Sequence, residues 1–342
     1  GNSPVGQESF MFKSPFARVA GCSLSMLIAA FPVLADPPHA RSQPTQYVLI
    51  SFDSAHELSQ WRRSRALARR TGAKFTYFLS CVFLLSPETR KTYRPPGMKP
   101  GSSNIGFAGS KEEVEQRLYQ IRLAADEGHE MGSHGCGHFD GKGWSQADWA
   151  AEFGQFKTIL TGAYSINDLG PEPSDWRGIA ESIHGFRAPY LSTSKAMFRA
   201  LDAAGFAYDA SGVSKGPALP DLAYKPARFA LPQIPEGPDE RRVIAMDYNL
   251  FVRHSGGFEH ADKEGVFEER TLKAFREAFE TQYQGDRAPL QIGFHFSLMN
   301  GAAYWRALER FAEETCGKPQ VACVTYSEYL RRAGKPPANV GG

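Results

Sequence analysis

The sequence has little excess charge of either sign, because 39 lysines and arginines stand against 37 aspartates and glutamates, a net charge of +2. This balance argues against a protein held to nucleic acid or to a membrane surface mainly by its charge. Glycine and proline, 33 and 23 residues, follow no regular period, which excludes a collagen-like or low-complexity chain. With 42% hydrophobic and 12% aromatic residues, the chain is not wholly disordered either. These features indicate a globular protein with many loops.

The apolar run over residues 19–34 is too short to cross a bilayer comfortably, and two serines interrupt it. Two basic residues precede it and small residues follow it before Asp36, which is typical of a cleaved signal peptide. We therefore predict a signal peptide over residues 11–35, preceded at residues 1–10 by an extension or a fusion scar. A retained N-terminal anchor is the alternative. After cleavage we expect a secreted or periplasmic protein without stable membrane insertion.

Cysteine is scarce, with five residues in the whole chain. Four of them lie beyond the predicted signal peptide, and an even number in an exported chain permits disulfides. Cys316 and Cys323 flank a Gly-Lys-Pro turn and are the expected pair. Cys81 and Cys136 either form a second pair or remain two buried thiols.

Short apolar runs alternate with helical patterns along the rest of the chain. The runs predict strands at residues 47–52, 74–80, 129–133, 183–187, 206–209, 243–247, 289–295 and 321–325. A helix is predicted over residues 111–126, where Ser110 and Glu113 form a capping box, and others from Ser145 and over residues 266–280. This alternation favours a parallel α/β sheet or barrel.

The domain organisation follows from composition. Residues 36–46 are rich in proline and polar residues and predict a linker. We predict one catalytic domain over residues 47–335 and a tail over residues 336–342. Residues 212–242 and 248–264 contain many glycines and prolines without a period, and we interpret them as long loops within that domain.

Charged and imidazole side chains follow several of the predicted strands. Because the strand ends of a parallel barrel gather at one mouth, these side chains are expected to converge. They are Asp53, His134, His138, Arg187, Asp209 and His295. Each alone suits an ordinary role, such as a helix cap, an ion pair or a core imidazole. Two imidazoles four residues apart with glycines between them can bind one metal ion, so the group predicts a hydrolytic metal site.

Other catalytic motifs are missing from the sequence. His129 and His134 are five residues apart, whereas the helical zinc-protease motif needs four, and the glycines around them oppose a helix. Neither a Gly-x-Ser-x-Gly elbow nor a phosphate-binding glycine loop is present. Cys136 is a conceivable nucleophile, but the histidines beside it favour a metal.

Five short motifs together resemble the polysaccharide deacetylases of carbohydrate esterase family four. They are Ser51-Phe52-Asp53, His134-Gly-Cys-Gly-His138, Arg187-Ala-Pro-Tyr190, Tyr208-Asp209 and the strand ending in His295. The resemblance covers residues 47 to about 330 and implies a distorted (β/α) barrel of about seven parallel strands, a single domain with long loops. It also implies removal of acetyl groups from polysaccharides that contain N-acetylglucosamine or N-acetylmuramic acid, such as peptidoglycan or chitin-like chains. A divalent metal, usually zinc, accompanies this activity.

The resemblance also implies a role for each site residue. Asp53 corresponds to the general base and Arg187 orients it. His295 corresponds to the general acid, with Asp209 keeping its imidazolium charged. The backbone N–H of Tyr190 corresponds to the group that stabilises the oxyanion.

Two positions depart from the family pattern. A second Asp usually stands where this chain has Ser54, and a Leu where it has Gly293. The metal on His134 and His138 therefore loses one carboxylate and is expected to bind weakly. Its third ligand is Ser54, Asp53 or water, and the neighbouring His56 and Glu57 could substitute for the missing group.

The substrate and the activity each leave alternatives. Tyr190, Trp144 and Trp305 are candidates for stacking on sugar rings, although the two tryptophans could instead anchor the helices they begin. The expected partner is a polysaccharide and not a nucleic acid. Other activities compatible with the motifs are an O-acetyl esterase, a metal-poor hydrolase of C–N bonds in small ureides, and a carbohydrate-binding protein that has lost catalysis through Ser54.

Overall fold

The computed structural model describes residues 43–333. The predicted signal peptide, the extension before it, most of the predicted linker and the tail lie outside these residues. Within them, Gln43 to Thr45 have no regular structure, and the first strand begins at Gln46. None of the helices in this span is both long and apolar enough to cross a membrane.

A curled sheet of nine strands forms the centre of the described domain. The strands are β1 (Gln46–Asp53), β2 (Thr76–Leu79), β3 (Glu130–Ser133), β4 (Gly185–Phe186), β5 (Tyr208–Ser214), β6 (Ala227–Glu236), β7 (Arg241–Ile244), β8 (Leu290–His295) and β9 (Val321–Cys323). Their spatial order is β7-β6-β5-β4-β3-β2-β1-β8, with β9 paired to β1 beside it. All pairs are parallel except β6 with β7.

Helices cover the outside of this sheet. They are α1 (Leu58–Thr71), α2 (Lys111–Asp126), α3 (Gln146–Thr161), α4 (Ala163–Ile166), α5 (Trp176–Glu181), α6 (Lys195–Ala203), α7 (Asp247–Ser255), α8 (Val266–Gln284), α9 (Met299–Thr315) and α10 (Tyr326–Ala333). Ser145 forms a capping box with Asp148, whereas only half of the box predicted at Ser110 is formed. The Ser110 hydroxyl accepts the Glu113 N–H at 3.1 Å, but the Glu113 carboxylate accepts the N–H of Gly109 instead of that of Ser110. Each cap satisfies a backbone N–H that the first helical turn leaves free.

The sheet curls almost into a barrel because β7 turns back toward β8. The Gly293 N–H donates to the Ala245 carbonyl oxygen at 2.9 Å, and Met246 and Gly293 form an isolated parallel bridge. This single bridge closes the distorted (β/α) barrel, which confirms the predicted fold class. It also places the carboxyl ends of the parallel strands around one mouth.

The eight predicted strands are all present, with shifted ends, but the two predicted long loops are wrong. Residues 212–242 contain all of β6 and the first two residues of β7, with which it forms an antiparallel hairpin, and residues 248–264 contain most of α7. The sheet therefore has nine strands in the described residues rather than about seven. Polar and proline residues in β6 conceal its strand pattern, since the sequence Ala-Arg-Phe-Ala-Leu-Pro-Gln-Ile-Pro-Glu is only half-buried.

Both candidate disulfides are formed. Cys316 joins Cys323 across the short turn before β9, as predicted. Cys81 joins Cys136, so these residues are a second pair and not two buried thiols. This second disulfide links the turn after β2 to the loop that follows β3, which carries His134 and His138.

Candidate active site

A cleft with a volume of about 610 Å³ opens at the carboxyl ends of the strands. Six of the sequence-predicted site residues line it: Asp53, Ser54, His134, His138, Tyr190 and His295. Arg187 lies directly behind the cleft, whereas Asp209 lies further from it among buried groups. The tertiary structure therefore brings together residues up to 242 positions apart in the chain.

Asp53 and Arg187 form a fully buried ion pair at the floor of the cleft. Arg187 Nη1 donates to Asp53 Oδ1 at 2.9 Å and to the Ser51 hydroxyl at 2.7 Å. The remaining guanidinium donors reach the Ala210 carbonyl oxygen and the Tyr326 hydroxyl, both at 2.9 Å. Burial opposes ionisation of Asp53, but Arg187 and the nearby imidazoles hold the pKa of its carboxyl below the ordinary value. Asp53 is therefore a carboxylate at neutral pH.

His134 is oriented so that one ring nitrogen faces the cleft without a protein partner. Its Nδ1–H donates to the Arg187 carbonyl oxygen at 2.7 Å, while its buried Nε2 has no hydrogen-bond partner among the described residues. Burial lowers the pKa of His134 to about 3, so its imidazole is neutral. A neutral imidazole with a backbone-anchored Nδ1–H and a free Nε2 lone pair is the typical form of a metal-ligating histidine.

His138 provides the second imidazole. Its ring centroid lies 5.2 Å from that of His134, and its backbone adopts a positive φ of 57°. Burial lowers the pKa of His138 as well, although the Asp53 carboxylate opposes this shift. The pair fits a divalent cation held by two imidazoles. In the span from residue 43 to 333, however, no group of three or more His, Cys, Asp or Glu side chains is arranged to hold a metal ion.

Ser54 and His56 lie beside this pair. The Ser54 hydroxyl is 3.2 Å from that of Ser80, and Ser54 adopts a positive φ of 51°. His56 Nδ1 donates to the Ser54 carbonyl oxygen at 2.9 Å, and its ring stacks on Phe83 at 4.8 Å. Both residues line the cleft. The protein thus presents a hydroxyl where the family pattern has a carboxylate.

His295 pairs with Asp247, a residue that the sequence analysis did not select. Its Nδ1–H donates to Asp247 Oδ1 and its backbone N–H to Asp247 Oδ2, each at 2.7 Å. Burial opposes the charged form, but the Asp247 carboxylate raises the pKa of His295 to about 9. The predicted pairing of Asp209 with His295 is therefore wrong. Asp247 ends a predicted strand, as Asp53 does, so the sequence contained a usable signal.

Asp209 instead supports the turn that carries Tyr190. The Ser211 hydroxyl donates to Asp209 Oδ1 at 2.7 Å and accepts the Ala188 N–H at 2.7 Å. Burial raises the pKa of Asp209 to about 6, and the hydrogen bonds from Ser211 offset this only in part. Asp209 therefore positions the backbone between Arg187 and Tyr190 through Ser211.

Of the three aromatic residues proposed to stack on sugars, only Tyr190 lines the cleft. It has a φ of 60°, is 58% exposed, and its ring lies 4.6 Å from that of His138. Trp305 is fully buried and donates its indole N–H to the His295 carbonyl oxygen at 2.9 Å, so it is a core residue. Trp144 packs on Trp149 outside the cleft. The two tryptophans are therefore packing residues, as the alternative prediction stated, and do not line the cleft.

Gly293 departs from the family pattern for a visible reason. A Cβ atom at this position would lie 2.7 Å from Cε of Met246, which lines the cleft. The Met246 side chain therefore occupies the space that a larger residue at 293 would need. Met246 and Gly293 are also the two residues of the bridge that closes the barrel.

The fold is similar to that of solved polysaccharide deacetylases. A protein from Mycobacterium smegmatis named as one has a TM-score of 0.50 and 16% identity, over 90% of this chain and 98% of that one. Another, from Pseudomonas aeruginosa PAO1, has a TM-score of 0.50 and 16% identity, over 85% and 92%. The Xyl-CE4 domain of a xylanase from the Trinervitermes trinervoides hindgut metagenome has a TM-score of 0.47 and 13% identity, over 86% and 94%. No family model and no curated protein matches the sequence.

These likenesses establish the architecture: the chain has the polysaccharide deacetylase fold. The resemblance drawn from the five sequence motifs is thus confirmed at the level of the fold. A shared fold supports many chemistries, so the activity must be argued from the site itself.

Proposed function

We propose that the protein is a hydrolase that removes acetyl groups from the N-acetylated sugars of a polysaccharide. The observation that carries the proposal is one cleft lined by a carboxylate base and an imidazolium acid, each held by its own buried partner. Arg187 keeps Asp53 ionised, and Asp247 keeps His295 protonated. Opposite protonation states maintained at neutral pH are what general acid–base catalysis requires.

Asp53 is the proton acceptor in this proposal. Its Oδ1 is fixed by Arg187, and the carboxylate lines the same cleft as the neutral His134 and the charged His295. A water molecule placed against Asp53 loses a proton as it attacks the acetyl carbonyl carbon. Arg187 stays charged throughout, because its guanidinium is buried against Asp53 and a ring of acceptors.

His295 is the proton donor. An amide is difficult to hydrolyse because its amine is a poor leaving group, and protonation of the nitrogen relieves this difficulty. His295 gives up its Nε2 proton as the C–N bond breaks, while Asp247 accepts from Nδ1 and stabilises the charged form beforehand. An acid that is protonated at neutral pH helps the departure of an amine more than that of an alcohol, which favours N-deacetylation over O-deacetylation.

Two further groups complete the site. The backbone N–H of Tyr190, which the left-handed turn directs away from the normal helical course, is the candidate donor to the oxyanion. His134 and His138 would hold a divalent cation, zinc being the usual one in this fold family. When bound, it would supply positive charge that polarises the acetyl carbonyl. Ser54 in place of a carboxylate supports a weakly held ion.

Export is part of the proposal. The predicted signal peptide, the two disulfides and a polymeric extracellular substrate are mutually consistent with a secreted or periplasmic enzyme. A carbohydrate-binding protein without activity would have no need of a base and an acid with opposed protonation states. We therefore retain it only as an outcome of the test below.

The test is acetate release from peptidoglycan strands, chito-oligosaccharides and acetylated xylan, with added Zn²⁺, Co²⁺ or Mn²⁺. We expect release from the N-acetylated substrates only. Asp53→Asn, which keeps an acceptor for Arg187, and His295→Ala should each lower kcat about 10²- to 10⁴-fold in a folded protein. Circular dichroism checks folding. Binding of glycan without acetate release under every metal condition would show a binding protein instead.

A further inference from the structure

A strongly basic loop borders the cleft on the side of the two imidazoles. Residues 89–110 contain four cations and no aspartate or glutamate, although the whole chain carries a net charge of only +2. These cations, which we name the basic loop cluster, are Arg90, Lys91, Arg94 and Lys99. All four residues are exposed, and none forms an ion pair within 4.0 Å in the part of the chain that the structure describes.

The loop that carries the cluster is tied to the imidazole loop at two points. The buried Tyr93 donates its O–H to the Glu152 carboxylate at 2.8 Å and accepts the Gly137 N–H at 3.3 Å. Further along, the Asn104 side chain donates to the His138 carbonyl oxygen at 3.1 Å, and its backbone N–H to Gly137 O at 2.8 Å. Asn104 also lines the cleft. The loop that carries the cluster is therefore anchored to the imidazole loop, and its Asn104 end lines the cleft.

Carboxylates close to the loop in sequence or space do not neutralise the cluster. Glu152 is buried and held by Tyr93, whereas the exposed Glu88 keeps its charge and offsets one of the four cations, so residues 88–110 retain a net charge of about +3. A net excess of cations raises the local concentration of anions along its surface. The Debye length is about 8 Å at physiological salt, so this attraction acts on anionic groups that pass close to the cluster.

We propose that the substrate strand is acidic and that the basic loop cluster binds carboxylate groups of the same polysaccharide whose acetyl groups are removed in the cleft. This inference rests on the proposed function and names its substrate class. It favours a carboxylate-bearing strand such as peptidoglycan over a neutral chitin-like chain, the two polymers that the sequence left open. Neutral sugars would gain nothing from four unpaired cations.

The loop chemistry also argues against a nucleic acid as the polyanion. Single-stranded nucleic acids are held largely by exposed aromatic rings on which bases stack. The two aromatic residues of the loop, Tyr93 and Phe107, pack against the hydrophobic core. The exposed groups of the loop are therefore charges without stacking surfaces.

The experiment is cosedimentation of the mature protein with insoluble peptidoglycan sacculi at increasing sodium chloride concentration. The matched ligand is the same sacculi after their carboxylates have been converted to amides with carbodiimide and ammonia. We expect tight binding to native sacculi at low salt. Binding should weaken at least about tenfold on raising sodium chloride to about 300 mM, and by a similar factor on amidation.

The test variant is Arg90→Gln/Lys91→Gln/Arg94→Gln/Lys99→Gln. Its control removes four exposed cations on α1, on α6 and after β5: Arg62→Gln/Lys195→Gln/Arg199→Gln/Lys215→Gln. We expect the test variant to bind native sacculi at least about tenfold more weakly and the control to stay within about twofold of wild type. Both should release acetate from a neutral chito-oligosaccharide at the wild-type kcat.

Three results would overturn the inference: equal binding by the test variant and wild type, equal binding to native and amidated sacculi, or displacement by duplex DNA as efficiently as by soluble carboxylate-bearing fragments. Acetate release is a separate readout. If wild type binds sacculi through the cluster yet releases no acetate from any substrate, the proposed function fails while the acidic ligand stands. If wild type releases acetate but the test variant binds sacculi as tightly as wild type, the inference about the cluster fails while the proposed function stands.

Discussion

The Asp247 carboxylate receives two hydrogen bonds from His295, one from the ring and one from the backbone, each 2.7 Å long. The backbone bond fixes the carboxylate relative to β8, and the ring bond stabilises the imidazolium. Both residues stand where the barrel closes, Asp247 at the start of α7 and His295 at the end of β8. The contact that supports the proposed acid thus lies one residue beyond Met246, whose bridge to Gly293 closes the barrel.

The first prediction concerns pH. With a pKa of about 9, His295 is protonated below pH 9 and activity should fall as pH rises through that value. In Asp247→Asn the charge that stabilises the imidazolium is lost while burial of His295 remains, so the pKa of His295 should fall. The alkaline limb of the pH–activity profile should therefore move by about two pH units or more toward lower pH. At pH 8 kcat should fall about tenfold or more, with recovery at lower pH.

The control for this prediction is Asp209→Asn, another buried aspartate at a strand end. Because Asp209 contacts Ser211 and not His295, this variant should leave the alkaline limb at its wild-type position. The measurement is the pH dependence of kcat and kcat/KM for acetate release. A shifted limb in Asp209→Asn, or an unshifted one in Asp247→Asn, would reinstate Asp209 as the partner.

The second prediction concerns the missing carboxylate. Ser54→Asp adds a negative charge beside His134 and His138, at a backbone φ of 51° that aspartate tolerates. The affinity for Zn²⁺ should rise about tenfold or more, because a carboxylate binds the ion more strongly than a hydroxyl does. Equilibrium dialysis of the metal-free protein measures this, with Ser54→Ala as control. An unchanged Kd would mean that position 54 does not face the ion.

The third prediction compares the two disulfides. Cys136 lies between His134 and His138, so Cys81→Ser/Cys136→Ser should lower Zn²⁺ affinity and kcat about tenfold or more. Cys316→Ser/Cys323→Ser, remote from the cleft, should change both less than about twofold. Removing the Cys81–Cys136 bond, which spans 55 residues, should lower the unfolding free energy by about 4 kcal/mol. Removing the Cys316–Cys323 bond, which spans 7 residues, should lower it by about 2 kcal/mol.

Urea unfolding separates stability from positioning in these variants. Metal affinity is measured well below the unfolding midpoint, where both proteins are folded. If the two double variants lose the same metal affinity, the Cys81–Cys136 bond has no special part in holding the imidazole loop. Chemical reduction of the wild type should reproduce the first variant, since both disulfides open.

The fourth prediction concerns barrel closure. Gly293→Leu restores the residue usual in the family, but its Cβ would lie 2.7 Å from Met246 Cε. We expect a loss of about 1–3 kcal/mol in unfolding free energy from overpacking. Adding Met246→Ala should recover much of it, and a double-mutant cycle by urea unfolding measures the coupling. Additive losses would show that the two side chains do not compete for space.

Much of the fold was predictable because local patterns carry it. The buried β1, with its continuous apolar run, and α2, with its Ser110 cap, follow from short-range rules. β6 escaped these rules, since its two prolines and its polar residues resemble a loop, whereas β7 corresponds to the strand predicted at residues 243–247. The strand character of β6 comes from pairing with β5 and β7, which no local window contains.

By itself, the sequence determined the alternation of strands and helices and indicated six of the residues that line the cleft, because residue types and their spacing are local properties. Only the tertiary structure decided which aspartate supports His295. Asp209 and Asp247 are both acidic residues near strand ends, and their spacing does not distinguish them. The distinction arises because β7 turns back to close the barrel on β8, which carries Asp247 to His295 and leaves Asp209 with Ser211.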